Sequence, residues 1–185
     1  MISNSMKIAE YNMSTICIPG VKWKRNRIQT ASEQVKILSN EGSAVHHFVQ
    51  HTADFSYNTF GIHRFQDDEL TFLAVVPKEV TAILVDCRMS SPEFGKRHIL
   101  TFTTSPHQRL VIPRGVAHTF EGLDGVTTRN DYILYRNCST SAVDHFLDNI
   151  QKNKNHVFGP EDAVDISSEK PMTRNEACAK ISIMR

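Results

Sequence analysis

No run of apolar residues in this chain is long enough for a membrane-spanning helix. The longest, such as Phe72 to Val76, reach about five residues, against the roughly 18 that a span needs. Met1 to Ala9 carries no basic-then-apolar leader pattern, so a cytoplasmic protein is expected. Cysteine is scarce and unpatterned. Cys17, Cys87, Cys138 and Cys178 form no CxxC and no regular spacing, which argues against a zinc ribbon or a disulfide framework and for free, buried thiols. An excess of either charge is missing as well. The 21 Lys and Arg nearly balance 20 Asp and Glu, and a net charge of +1 offers no bulk attraction to nucleic acid or an anionic membrane. Only 8 Gly and 7 Pro occur in 185 residues, and 40% are hydrophobic, which excludes low complexity and general disorder. That length predicts one domain over 1–185, burying roughly two-thirds of its unfolded surface.

What the chain does have is frequent punctuation. Short apolar runs recur from Thr15–Ile18 to Tyr132–Tyr135, separated by turn formers such as Gln66-Asp67-Asp68, Pro77-Lys78, Ser105-Pro106 and Gly122 to Gly125. About ten short strands at this spacing predict an antiparallel sandwich or barrel, placed at about residues 13–137. In Val80–Cys87, Val80, Ala82 and Leu84 share one face and Ile83, Val85 and Cys87 the other, so a central strand is expected. Beyond about residue 140 the pattern changes. Ala142, Val143, Phe146, Leu147 and Ile150, after Ser139-Thr140-Ser141, predict a capped helix to about Gln151, followed by an extended piece near His156–Phe158 and an irregular tail to 185.

Three features carry candidate chemistry. Pro113-Arg114-Gly115 suits a tight turn and places His118 early in the next strand, where an imidazole can point into a barrel mouth. In the second, Thr59, Gly61 and His63 share one face of an alternating strand; glycine leaves room for an approaching group, and His63 has the ordinary pKa of a general base near neutrality. In the third, Tyr132 and Tyr135 lie three apart, so in a strand only one phenol can face the interior. No metal centre is expected: adjacent His46 and His47 point to opposite faces of a strand, and no His-x-His is present.

Taken together these segments resemble the dTDP-4-dehydrorhamnose 3,5-epimerase family, sugar-nucleotide epimerases of the cupin superfamily. Val85-Asp86-Cys87-Arg88-Met89-Ser90-Ser91-Pro92-Glu93-Phe94-Gly95-Lys96 is similar to the family's V-D-[IL]-R-x-x-S-P-T-F-G-x run. Gln108 to Phe120, containing Ile112-Pro113-Arg114-Gly115-Val116-Ala117-His118, resembles x-Q-L-x-I-P-x-G-F-A-H-G-F. Leu134-Tyr135-Arg136 resembles L-Y-K, and Gly61-Ile62-His63-Arg64-Phe65-Gln66 resembles R-G-L-H-[FY]-Q. The resemblance implies a cupin jelly roll, a homodimer, a nucleotide-linked 4-keto-6-deoxy sugar as substrate, and no cofactor.

The implied reaction removes a proton α to the ketone at C3 or C5 and returns one from the opposite face. The resemblance puts the base on His63 and the acid on Tyr135, and the carboxylate behind the base on Glu161, or on Asp162 after a one-residue shift. It places substrate contacts at His118 and Arg64. It also points to Phe60 and Thr71, which stand where the family has a phosphate-binding Arg and an oxyanion-holding Lys; no Lys or Arg lies between Phe65 and Pro77. Arg25 and Arg27 are the nearest cations to the family's missing N-terminal phosphate motif. An epimerase is the leading expectation. A sugar- or nucleotide-binding cupin without catalysis, or a related cofactor-free ketosugar isomerase or dehydratase, are the alternatives.

Overall fold

The computed structural model describes residues 16–30, 36–39, 45–135, 149–166 and 170–182. Within these the strands are β1 (Lys22–Arg25), β2 (Arg27–Thr30), β3 (Lys36–Ser39), β4 (Val45–Gln50), β5 (Thr59–His63), β6 (Gln66–Leu73), β7 (Glu79–Asp86), β8 (Arg97–Thr103), β9 (Ser105–Ile112), β10 (Val116–Glu121), β11 (Thr127–Leu134) and β12 (Asn149–Asn153). A 3₁₀ turn (Pro160–Asp162) and one α-helix, α1 (Arg174–Ser182), complete the list. No described helix is long and apolar enough to cross a membrane.

The strands form two five-stranded antiparallel sheets, ordered β1-β9-β6-β11-β4 and β12-β5-β10-β7-β8, with β2 and β3 as a separate pair. From β5 to β11 the chain changes sheet at every connection except β7 to β8. This back-and-forth crossing makes the expected jelly roll. Alternation explains it: each strand gives one face to the space between the sheets. Leu70 and Phe72 of the first sheet meet Val80, Ala82, Leu84, Leu100 and Phe102 of the second in the main core. β7 is two-sided, as its sequence predicts. Its Ile83 and Val85, with Cys87 just past its end, turn outward and join Phe60, Ile62, Ala117 and Val164 in a second cluster behind the sheet. Each buried Val, Ile or Phe contributes about 1.5–3 kcal/mol by leaving water.

That second cluster explains the C-terminal region, where the sequence reading needs correction. The predicted helix falls mostly on residues outside the described ones, but its end is a strand: β12 pairs antiparallel with β5, Asn149 opposite His63 and Asn153 opposite Thr59. The competing demand is β5's open edge, and Ile150 packs with Phe158 and Ile166 over Phe60 and Ile62. The tail is also less irregular than expected. Thr173-x-x-Glu176 is a capping box: the Thr173 backbone N–H donates to Glu176 Oε2 at 2.7 Å, and the Glu176 N–H donates to Thr173 Oγ1 at 3.3 Å. It starts α1, whose Ala177 is buried against Tyr132 and Leu134. The thiols are corrected too: Cys87 is buried, but Cys17 and Cys178 are exposed, and Cys138 lies outside the described residues.

Candidate active site

A cavity of about 610 Å³ opens between the sheets, within the range of roughly 300–1,000 Å³ typical of small-molecule sites. Its described lining includes Thr59, Gly61 and His63 of β5, His118 of β10, Gln66 and Asp68 of β6, and Thr128, Asn130 and Tyr132 of β11, together with His47, Tyr57 and Gln151. The face assigned to β5 from sequence is therefore the cavity face. Gly61 sits opposite His118 in the ladder, and a Cβ added to it would meet nothing within 4 Å, so the glycine keeps open space beside both imidazoles.

The chemical centre is one carboxylate between two histidines. Asp68 Oδ2 lies 3.2 Å from His63 Nε2 and 3.4 Å from His118 Nε2. The rings stand 5.2 Å apart. His118 donates its Nδ1–H to the carbonyl of Val116 at 3.1 Å, because a carbonyl can only accept, and this fixes its tautomer. Asp68 Oδ1 receives the amides of Gln66 and of Asn130, the latter at 2.7 Å. Burial alone would push the Asp68 pKa up. The charge and hydrogen bond of His63, then His118 and Asn130, outweigh it and hold this carboxyl well below the ordinary range. Burial pulls the His118 pKa down, the charge of His63 adds to the fall, and Asp68 opposes it. His47 is likewise lowered by burial first.

The loop ahead of His118 also positions His63. Gly115, at φ +77°, donates its N–H to the His63 carbonyl at 2.7 Å and accepts from Cys87 N–H at 3.0 Å. A Cβ there would lie 2.6 Å from both Arg88 Cγ and Ile166 Cδ1, so only glycine fits. The neighbouring Arg114 N–H donates to Asp67 Oδ1 at 2.8 Å.

Several expected site residues lie elsewhere. The Tyr135 hydroxyl donates to Asp67 Oδ2 at 2.7 Å, with the Arg114 guanidinium 3.6 Å over its ring, so Tyr135 braces the loop and is not among the described lining. Its pKa is raised by burial and then by that bond. Strand parity puts Tyr132 in the cavity instead. Burial, with Asp68 and Cys178 nearby, pushes its phenol up to about 12, so it holds its proton at neutral pH. Asp162 takes Lys152 at 2.6 Å, His156 at 2.7 Å and the Gly159 N–H at 3.0 Å, tying down the tail, while Glu161 and Asp165 are exposed. None of the three lines the cavity. Phe60 is fully buried in the cluster behind β5, edge-on to Phe158. Thr71 is fully buried on the far face of β6, where Asn26 Nδ2 donates to it at 3.0 Å. Arg25, Arg27 and Arg64 are exposed and outside the described lining. Of the expected residues, the structure brings together His63 and His118.

Asp68 and Tyr132 are the residues that motif matching misses. The signal for them was alternation: Gln66, Asp68 and Leu70 share the cavity face of β6, and Thr128, Asn130 and Tyr132 that of β11. The strongest motif run is scaffold rather than site. Arg88 Nε and Nη2 donate to Asp86 at 2.8 and 2.6 Å and Ser91 Oγ donates at 2.6 Å, which folds the β7–β8 connection around a buried carboxylate.

Among solved structures, a dTDP sugar isomerase from Desulfovibrio desulfuricans G20 is 16% identical with a TM-score of 0.49, over 62% of this chain and 77% of that one. The rmlC epimerase of Mycobacterium tuberculosis is 15% identical with a TM-score of 0.48, over 92% and 98%. A dTDP-6-deoxy-D-glucose-3,5-epimerase from Legionella pneumophila, solved with dTDP-4-keto-L-rhamnose, is 19% identical with a TM-score of 0.44, over 60% and 64%. No curated protein matches the chain. The family model described as dTDP-4-dehydrorhamnose 3,5-epimerase matches residues 28–144, well over half of the sequence. The chain belongs to the dTDP-4-dehydrorhamnose 3,5-epimerase family.

Proposed function

We propose that the protein moves protons α to the ketone of a nucleotide-linked 4-keto-6-deoxy sugar, with His63 as the base and Asp68 as the carboxylate behind it. The observation that carries this reading is the 3.2 Å contact of His63 Nε2 with a fully buried carboxylate at the wall of an open cavity. The Nε2–H donates to Asp68, which leaves the lone pair on Nδ1 and stabilises the imidazolium that forms when it takes a proton. Tyr132, protonated at neutral pH and carried by the opposite sheet, is the donor that returns a proton to the other face of the enolate. His118 shares the carboxylate and borders the substrate. The same reading makes the protein a cytoplasmic homodimer; sedimentation at a single-chain mass would remove the dimer.

The test is proton exchange in heavy water with dTDP-4-keto-6-deoxyglucose, followed by NMR. Deuterium enters at C3 or C5 with the unaltered protein and not with His63→Ala. A second reading has one observation in its favour: no Lys or Arg is among the described residues lining the cavity, so that lining offers the enolate oxygen and the phosphates no cation. A single oxyanion donor is worth about 3–4 kcal/mol of barrier. Tight binding of the nucleotide sugar without any exchange makes the protein a binding module and ends the enzymatic proposal.

A further inference from the structure

We propose that His63, Asp68 and His118 form a binding site for one divalent transition-metal ion, and that the metal-loaded protein is an inhibited form. The first half stands on geometry alone; the second rests on the proton-transfer reading above.

The three ligand atoms, His63 Nε2, Asp68 Oδ2 and His118 Nε2, all lie within 4.8 Å of one another. Two of the separations are 3.2 and 3.4 Å. An ion held at about 2.0–2.1 Å by nitrogen and oxygen ligands sets neighbouring ligand atoms about 3.3–3.4 Å apart in a tetrahedron and about 3 Å in an octahedron. The two separations from Asp68 match such an ion, and the two imidazole nitrogens, within 4.8 Å of each other, complete the set. The outer contacts also suit a metal. The Nδ1–H of His118 is fixed on the Val116 carbonyl, so its Nε2 is a lone pair. Asp68 Oδ1 is held by Asn130 and Gln66, which leaves Oδ2 as the ligating oxygen.

In the tautomer that the Val116 bond sets, His118 Nε2 and Asp68 Oδ2, 3.4 Å apart, are both electron-pair donors, an arrangement that one shared cation satisfies. Two imidazoles and one carboxylate favour zinc, cobalt, nickel or iron(II) over magnesium or calcium. The ion's remaining positions open to the cavity, where His47 also stands. These ligands come from three strands in two sheets, so no short His-x-His spacing announces them.

Inhibition follows from counting lone pairs. Neutral imidazole has one lone pair and one N–H. When an ion takes Nε2 of His63, the proton moves to Nδ1, and no basic nitrogen is left to accept a substrate proton. No oxidation or covalent step is involved.

The experiment titrates chelator-treated full chain with Zn²⁺ by calorimetry and with Co²⁺ by visible absorption. One ion per chain is expected, at micromolar affinity or tighter. Asp68→Asn and His118→Gln, each checked for an intact melting transition, are expected to weaken binding by more than the roughly 10–100-fold that losing an outer partner alone costs. If neither ion binds at 100 µM added metal, on the order of a hundred times the expected dissociation constant, or if both variants bind as tightly as the unaltered chain, the site is overturned. A second arm measures deuterium exchange with stoichiometric Zn²⁺: exchange stops and EDTA restores it. Exchange that continues in the zinc-loaded protein, or that requires the ion, overturns the inhibition while leaving the site standing. An ion that binds to a protein showing no exchange with or without EDTA refutes the proton-transfer reading and the inhibition drawn from it.

Discussion

Replacing Asp68 with asparagine removes one charge and almost no volume. The carboxylate is 2% exposed and touches two imidazoles, so the substitution isolates electrostatics from packing. At 3.2 Å and an effective dielectric constant of about 20, attraction between an imidazolium and a carboxylate is about 5 kcal/mol, an upper bound on what the charge does for proton abstraction. Each 1.36 kcal/mol is tenfold in rate, so the bound is slightly under four decades. An asparagine that keeps its oxygen as acceptor for Asn130 turns its amide N–H toward His63 Nε2, which favours the proton on Nδ1, the wrong tautomer for a base there. The expected loss is 10²–10⁴ in the deuterium exchange rate, with substrate affinity changed less than tenfold. The assay is NMR-detected wash-in at C3 and C5 across pH 5 to 9, with a thermal melt to show that the variant folds. A folded Asp68→Asn protein that exchanges at half the normal rate or better, with an unchanged pH profile, would refute the assignment of Asp68 to His63.

Tyr132→Phe should slow net inversion far more than exchange, because His63 can return the proton it took while the opposite face loses its donor; equal loss of both would place the phenol elsewhere. Tyr135→Phe should leave exchange near normal and lower stability by about 0.5–1.5 kcal/mol for the lost Asp67 bond, read by urea denaturation. Gly115→Ala forces a left-handed residue and a 2.6 Å contact, and a loss of about 2–3 kcal/mol should lower the melting temperature by about 4–12 °C; an unchanged melt would show that the loop relaxes freely. Burial lowers the His51 pKa, and its Nδ1 has no hydrogen-bond partner. An unfolded histidine titrates near 6.5, so below that pH the unfolded chain binds the extra proton first. The stability is fully present above about 6.5 and is lost as pH falls through the depressed folded value. His51→Phe, which keeps the aromatic packing on Phe55, should flatten the urea midpoint between pH 7 and 5; an unaltered slope would assign that dependence to other groups.

Legibility in the sequence followed the range of the interaction. Alternation predicted both faces of β7 and the cavity face of β5, because a strand's two-residue period is local. The turn before His118 was legible for the same reason: Gly115 must have positive φ wherever the strands go. The partner of His63 was not legible from motif order, which pointed about a hundred residues downstream to Glu161 or Asp162. The actual partner is five residues on, and it meets His63 only because the chain changes sheet between β5 and β6. The phenol shows the same division. Parity allowed one of Tyr132 and Tyr135, resemblance chose the second, and the register of β11 on β6 turns the first inward. Phe60 and Thr71 stood at family positions for cations, yet each occupies the outer side of its sheet, where a neighbouring segment covers it.

The strand that carries His63 is completed late. β5 hydrogen-bonds to β10 on one side and to β12 on the other, and β12 begins at Asn149. During synthesis, roughly 90 residues separate the two, or about 4–17 s at 5–20 residues per second. Over that interval β5 is an open edge with Phe60 and Ile62 uncovered, a template for pairing with another nascent chain. The nascent chain is therefore open to aggregation at its proposed catalytic strand, and a chaperone that shields an apolar strand edge would act on this protein before β12 arrives. Loss of the β12 segment would leave that vulnerability permanent, so truncations ahead of Asn149 should yield insoluble protein rather than a folded barrel with a damaged site.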